Sequence, residues 1–522
     1  MSKILLEIFS EEIPAVMQLE GLEKFISTIC TTLDITTQID GLVSPRHLCI
    51  IINDYKLNDK ISIKGPKIMA PQEAIKGFMN KYNINNINEL KEANGVLILE
   101  RLLSQKECID ELSKNISTAI GKMIWPKSML WNQHNIKWIR PIHAITCILD
   151  EKVLDIKLGH IKSGNVTYGH RSQGSPKIQI KSSDPIEYRD LLKQNGVIIS
   201  HKERKQSILD QIDLIIKPMS LMLLDDKSLL DEIVGLVENP LVFLGRINSS
   251  FMSLPTEVLV TSLKNHQKYL LLQDKNMNLA PYFIIVSDIS PDDGGVTIIN
   301  GNEKVLMARL SDAQHFIKTD SKTQFMNFSE KLHKIQFHKD IGSVYEKVIR
   351  IKDLANKICN QIKIDSKAAE QASRICKNDL VTQMVGEFPE LQGVIGYYYA
   401  IQSGYNEDIA IAIRDHYKPC GPNDSLPETL VGCIVAISDK LDTLQSLFNI
   451  GIKPTSTKDP YALRRAAIGI VRMISTHNEL MNNLNISALG TTKDVMEFIL
   501  DRAKQLLKES PEKYNTIVKV CM

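Results

Sequence analysis

The sequence predicts a multidomain α+β protein whose second half is helical, and three observations predict it. The chain has 522 residues, enough for about three or four domains at roughly 100 to 200 residues each. Short β-tending runs broken by Gly, Asn and Pro continue to about residue 316, the pattern of strands and turns. After residue 329, apolar residues recur at helical spacing, as in Ile349, Leu354 and Ile358 and then Ala372, Ile375, Cys376 and Leu380.

Residues 3–9 are apolar and β-tending, Pro14 opens a helical stretch, and residues 42–52 around Pro45 read as strand again. The N-terminal region, 1–150, is therefore expected to be α+β. Its three tryptophans, Trp125, Trp131 and Trp138, are the only ones in the chain and suggest a local packing nucleus. Over 151–325 a mixed β-rich domain is expected, with strand-like runs at 177–181, 197–200, 241–244 and 282–287. A helical domain follows over 326–480, and a further helical segment over 481–522. No repeat or Gly/Ser linker separates these parts, so they are expected to pack together.

Composition excludes several function classes. Hydrophobic residues at 43% supply several cores without disulfides or metals. The balance of 63 basic against 61 acidic residues, net +2, excludes a polycationic coat and an acidic disordered tail, so a polyanion must be met by local patches. Nine scattered cysteines without a Cys-x-x-Cys read as reduced thiols. Glu7, Glu11 and Glu12 break any export segment, and no run approaches the roughly 20 apolar residues of a spanning helix. A soluble cytoplasmic protein is the expectation.

Common nucleotide and metalloprotease fingerprints are absent from the sequence. Thr167-Tyr168-Gly169-His170 has the spacing of a His-x-Gly-His motif, but threonine lacks the imidazole. Asp292-Asp293-Gly294-Gly295 reads as a surface turn, because adjacent carboxylates do not make the alternating ligands of a calcium loop. Asn378-Asp379 with His338, His416 and Asp439 invites comparison with helical metal phosphohydrolases, yet Asn378 stands where an imidazole is needed. The competing reading pairs these acids with Lys377 or Lys440.

The clearest polyanion signal is residues 453–472, where Lys453, Lys458, Arg464, Arg465 and Arg472 face one acid, Asp459. Asp459 is expected to be an N-cap with Pro460 opening the helix, and Leu463, Ala467, Ile470, Val471 and Ile474 its apolar face. Arg465, Gly469 and Arg472 then share one side, suited either to an RNA phosphate or to packing of Gly469 on a neighbouring helix. His266-Gln267-Lys268-Tyr269 offers a ring, an amide and an ammonium for nucleotide edges and phosphates. Asn302, Glu303, Lys304, Arg309, Asp312 and His315 are either a similar polar set or an intrahelical charge network.

Read in order, these segments closely resemble the beta subunit of the bacterial two-chain glycyl-tRNA synthetase over nearly the whole chain. The resemblance is carried by Glu7-Ile8-Phe9-Ser10-Glu11-Glu12-Ile13-Pro14, Ser44-Pro45-Arg46, Pro126-Lys127-Ser128-Met129, Ile139-Arg140-Pro141-Ile142-His143 and Gly169-His170-Arg171. More specific are His266-Gln267-Lys268-Tyr269, Gly301-Asn302-Glu303-Lys304-Val305-Leu306 with Ala308-Arg309-Leu310, and Glu387-Phe388-Pro389-Glu390-Leu391-Gln392-Gly393. Asp439-Lys440-Leu441-Asp442-Thr443-Leu444 and Lys458-Asp459-Pro460 with Ala462-Leu463-Arg464-Arg465-Ala466-Ala467 complete the series.

The resemblance implies a tRNA-binding subunit that joins a smaller alpha subunit as an α2β2 complex and attaches glycine to tRNA(Gly). ATP and Mg2+ would be used in the alpha subunit, with no cofactor, metal or catalytic residue in this chain and no membrane or DNA partner. It further implies an editing-like middle domain and a degenerate His-Asp (HD-type) helical domain. The tRNA-binding candidates are Arg46, Lys127, Arg140, Arg171, His266, Gln267, Lys268, Asn302, Arg309, Lys458, Arg464, Arg465 and Arg472. The chain departs from the family pattern at His47, Leu130, Asn132, Ala144, Met307, Ser456 and Thr457. It also ends where family members continue into a helical anticodon-binding domain, so most of that domain is expected to be missing. Two other readings stand beside this one: an HD-type metal phosphohydrolase, and an inactive remnant that only binds the alpha subunit.

Overall fold

The structure is a computed structural model that describes residues 2–521 except 58, 132, 456, 457, 509 and 510. The expectations attached to Asn132, Ser456 and Thr457 lie outside the described residues. The chain is mixed α/β with several small sheets and divides into two compact units, residues 1–246 with 268–303 and residues 247–267 with 304–522.

In the first unit, β1 (Ser2–Ser10) is the central strand of a sheet, antiparallel to both β3 (His47–Tyr55) and β9 (Ile142–Leu149). Strand β2 (Ile39–Val43) pairs with β3 in a hairpin around Pro45. This central strand is buried on both faces, so its residues read as a continuous apolar run rather than an alternation. Helix α1 (Ala15–Leu33) begins after Pro14 and lays Leu22, Phe25 and Ile29 on the sheet. Between β3 and α3 (Gln105–Lys122) sit β4 (Lys60–Lys67), α2 (Gln72–Lys81), β5 (Leu90–Ala93) and β6 (Val96–Leu102), a separate three-stranded sheet.

The three tryptophans belong to one hydrophobic cluster. Trp125 and Trp138 are buried edge to face at 5.4 Å, while the half-buried Trp131 packs on the cluster's margin and against His160. A Cβ at Gly21 would lie 2.4 Å from the Trp125 ring, so α1 approaches this pair only through a glycine.

Farther along, β14 (Lys177–Gln179), β16 (Leu241–Arg246) and β18 (Leu279–Ser287) answer to expected strands, and β17 (Leu270–Gln273) forms where none was expected. Residues 197–200 do not form one. That segment has no strand partner among the described residues; Ile198 N–H donates to the main-chain carbonyl of Glu238 and Ser200 caps helix α5 (His201–Ile216). Helices interrupt the strands throughout, so the region is less β-rich than its turn signals suggest. The Asp292–Gly295 turn caps helix α8 (Val296–Asp320), with Asp293 accepting from Gly295 and Thr297 N–H.

The second unit is helical. Its cores join α9 (Val344–Ile362), α10 (Lys367–Ile375), α12 (Val394–Gln402), α13 (Glu407–Asp415), α14 (Leu430–Asn449), α15 (Leu463–Ile474), α17 (Lys493–Leu506) and α18 (Pro511–Cys521). The buried stripe of α9 runs through Val344, Val348, Ile351, Ala355, Ile358 and Ile362, the spacing of one helical face. Ile349 lies off it, 37% exposed. Among the described residues no helix is long and apolar enough to cross a membrane.

Candidate nucleic-acid interface

Four short motifs, distant in sequence, meet at the end of β1. Main-chain bonds join them: Ser10 N–H to Arg46 O at 2.9 Å, Ile13 N–H to Pro45 O at 2.7 Å and Glu11 N–H to Pro141 O at 2.9 Å. Arg171 reaches Glu12 at 2.8 Å and Glu11 at 3.2 Å, and His143 meets Glu11 at 2.7 Å. Arg46 is buried at 8% exposure, with its guanidinium 4.5 Å from the Phe9 ring and hydrogen-bonded to Ser175. Arg140 and Lys127 are exposed. This edge therefore offers Arg171 and Arg140 to a ligand more readily than Arg46.

Behind it lies a buried polar cluster that sequence reasoning did not assemble. Glu7 accepts hydrogen bonds from Thr167 and Tyr188 and lies 3.4 Å from His47, whose other ring nitrogen is 3.8 Å from Glu238. Burial raises the Glu7 carboxyl's pKa, but His47 and the two hydroxyls outweigh it and hold the group below its ordinary value. His170, the would-be nucleotide ligand, instead lies 2.9 Å from the Asp288 carboxylate and hydrogen-bonds Ser172 at 2.7 Å. Glu238, Tyr188 and Asp288 carry no local sequence signal; only the fold brings them together.

Lys268 and Asn302 also belong to the first unit. Lys268 adopts φ 57° and pairs with Glu232 at 3.0 Å. Asn302 accepts from Tyr269 at 2.6 Å and donates to Ile298 O.

In the second unit, His266 closes a π-helical turn over Ser262–His266, a local geometry that often marks functional sites. Its Nε2 lies 2.9 Å from Glu390, and Arg309 donates to its Nδ1. The ring is thus held between the Arg309 guanidinium and the Glu390 carboxylate. Arg309 also pairs with Glu387 at 3.1 Å and lies over Phe388. The Arg309 partners come from other elements, so its interactions are not an intrahelical charge network. Gln267, half-buried, follows the turn.

Helix α15 forms with its predicted apolar face buried. It starts later than expected, at Leu463, after Ala462 in the left-handed region. Asp459 nevertheless caps it, accepting Leu463 N–H at 2.9 Å and Arg464 N–H at 3.0 Å. Gly469 packs on α14: a Cβ there would lie 3.0 Å from Lys440 Cε and 3.3 Å from Pro419 Cδ. Arg472 donates to Gly421 O and Asp424 O, and Arg465 to Cys420 O at 3.3 Å. Arg464 donates to Thr455 O. Arg465 and Lys458 are exposed.

Of the residues compared with a metal site, Asp439 is occupied by ammonium groups. Asp439 is 2.8 Å from both Lys347 and Lys377, and Asp442 is bound by Lys347 at 3.0 Å and Arg350 at 2.5 Å. Burial opposes the charge of Asp439, yet the two lysines hold its pKa well below the ordinary carboxylate value. Among the described residues Lys440 pairs with no acid; it donates to the carbonyls of His416, Tyr417 and Lys418. Burial lowers its pKa to about 8. Asn378 donates to Phe325 O and accepts from Ser329. His338 lies 3.8 Å from Asp340. No group of three or more His, Cys, Asp or Glu placed to hold a metal ion occurs among the described residues.

This mixed α/β chain with a helical half, presenting arginine, lysine, histidine and amide groups at separate surfaces, falls in the class of aminoacyl-tRNA synthetase subunits by comparison with known proteins. The model of the glycyl-tRNA synthetase beta subunit matches residues 4–522, and the chain belongs to that family. It is 40% identical over 526 residues to the glycine–tRNA ligase beta subunit of Rickettsia akari (strain Hartford), covering 97% of this chain and 78% of the relative. The corresponding subunits of Rickettsia typhi (strain ATCC VR-144 / Wilmington), 41% identical over 529 residues, and Rickettsia bellii (strain OSU 85-389), 40% over 529 residues, match 97% of this chain and 78% and 79% of their own lengths.

Proposed function

We propose that the chain acts as the beta subunit of a glycine–tRNA ligase, holding tRNA(Gly) so that its acceptor end reaches an alpha subunit that uses ATP and Mg2+. The observation that carries this reading is family similarity over residues 4–522. The two chains assemble as α2β2 in the cytoplasm. Positioning alone can lower a reaction barrier by roughly 7 to 11 kcal/mol, so a subunit without its own nucleophile can still be essential to glycylation.

Within this reading, residues 1–150 form an N-terminal region, 151–325 an editing-like domain, 326–480 a degenerate HD-type domain and 481–522 the start of an anticodon-binding domain. The lysines on Asp439 support the degenerate character, because ammonium groups stand where a divalent cation would need free carboxylate oxygens. They count against the metal phosphohydrolase reading.

Exposed Lys458 and Arg465 are the first phosphate contacts to test. Substituting both with alanine is expected to weaken tRNA binding by the assembled enzyme and to lower the slope of log K against log[salt] by about 1 to 2, near 0.7–0.9 per lost phosphate contact. An unchanged slope removes them from the footprint.

A further inference from the structure

Residues 60–102 fold as a small β-α-β-β module with a core of Ile84, Leu90, Leu97 and Leu99. Its sheet has the order β4-β6-β5. Helix α2 covers one face, with Phe78 so close to β4 that a Cβ at Gly65 would lie 2.8 Å from its ring. On the other face, cross-strand partners place Lys64 beside Ile98 and Ile98 beside Lys91.

Strict alternation would send Lys64 and Lys67 to opposite faces. The register shift between them instead pairs Lys67 with Val96, two residues from Ile98 in β6, so both lysines share the uncovered side. Three lysines thus ring the half-buried Val96 and Ile98. Lys91 pairs with Glu100, and its side chain is 68% exposed. Lys64 and Lys67 are exposed and form no ion pair among the described residues.

The module carries seven basic against four acidic residues, net +3. The whole chain is only +2, so the rest sums to −1. On the open face Lys64, Lys67 and Lys91 stand with one acid, Glu100, a local basic patch of the kind a phosphate backbone selects.

We infer that the open face of this sheet is an additional RNA-backbone contact surface, with Lys64, Lys67 and Lys91 meeting phosphate oxygens around Ile98. This rests on the tRNA-binding reading and extends it to residues outside the thirteen candidates. The contact is sequence-independent, since the face presents ammonium groups and aliphatic carbons rather than a base-reading set.

The test is tRNA binding by the complex of this chain with its alpha subunit, measured at several salt concentrations. The variant Lys64→Gln/Lys67→Gln/Lys91→Gln is expected to lower the salt slope by about 2 to 3. Lys64→Arg/Lys67→Arg/Lys91→Arg is expected to keep it, and so is Lys76→Gln, on exposed helix α2. An unchanged slope in the triple glutamine variant overturns the inference while leaving the tRNA-binding reading intact. So does an equal fall with Lys76→Gln, or loss of the alpha subunit with tRNA contact unaltered. Failure of the unsubstituted complex to bind tRNA at any salt concentration overturns the reading itself.

Discussion

Asp379 is the residue at which charge and burial conflict most openly. It is fully buried; one carboxylate oxygen accepts Gly393 N–H and the other has no hydrogen-bond partner among the described residues. Burial raises its pKa to about 6 against an ordinary 3.8. The folded state therefore holds its proton at a pH where the unfolded chain has released it, and stability falls as pH rises from about 4 to 6. Asp379→Asn should abolish that component, gaining about 3 kcal/mol relative to the native chain between those limits. Denaturant unfolding at pH 4 and pH 6.5 measures it, and a parallel pH dependence in both proteins would refute it. The pairing of Asp439 with Lys377 could be anticipated because the candidate cation was visible among the acids. Lys347 could not be, since it lies 92 residues from Asp439 and only the packing of α9 on α14 joins them.

At the scale of elements, helix α15 shows what periodicity captures and what it misses. Its buried face follows directly from the spacing of Leu463, Ala467, Ile470, Val471 and Ile474. Its start does not, because the residues just before Leu463 place Ala462 in the left-handed region and move the capped N-terminus beyond Pro460. The segment 197–200 misleads for a related reason: a buried extended run needs a partner strand to become one, and pairing is not local information. Helical glycines separate packing from flexibility. A Cβ at Gly301 in α8 would meet nothing within 4 Å, whereas one at Gly469 would meet Lys440 and Pro419. Gly301→Ala is expected to stabilise the chain by ~0.5–1 kcal/mol. Gly469→Ala should show no such gain, because its methyl group displaces the Lys440 stem that delivers the ammonium to three carbonyls. Thermal unfolding of the two variants side by side decides this, and equal stabilisation would contradict the packing role of Gly469.

For the whole molecule, the α+β start and the helical second unit follow from hydrophobic patterning. Individual site motifs were visible as short polar runs, but their grouping was not. Phe9, Arg46, His143 and Arg171 become neighbours only through the pairing of β1 with β3 and β9 and the main-chain bonds at its end. The lysines of residues 60–102 form no run in the sequence, because they are spread among apolar residues and meet only across strands. The central claim is that this chain makes an alpha subunit competent in glycylation by binding tRNA. Its most direct test is glycyl-tRNA formation by the purified alpha subunit with and without this chain, at one salt concentration. Product only when both chains are present is the predicted result; a stable complex of the two that forms no glycyl-tRNA would contradict it.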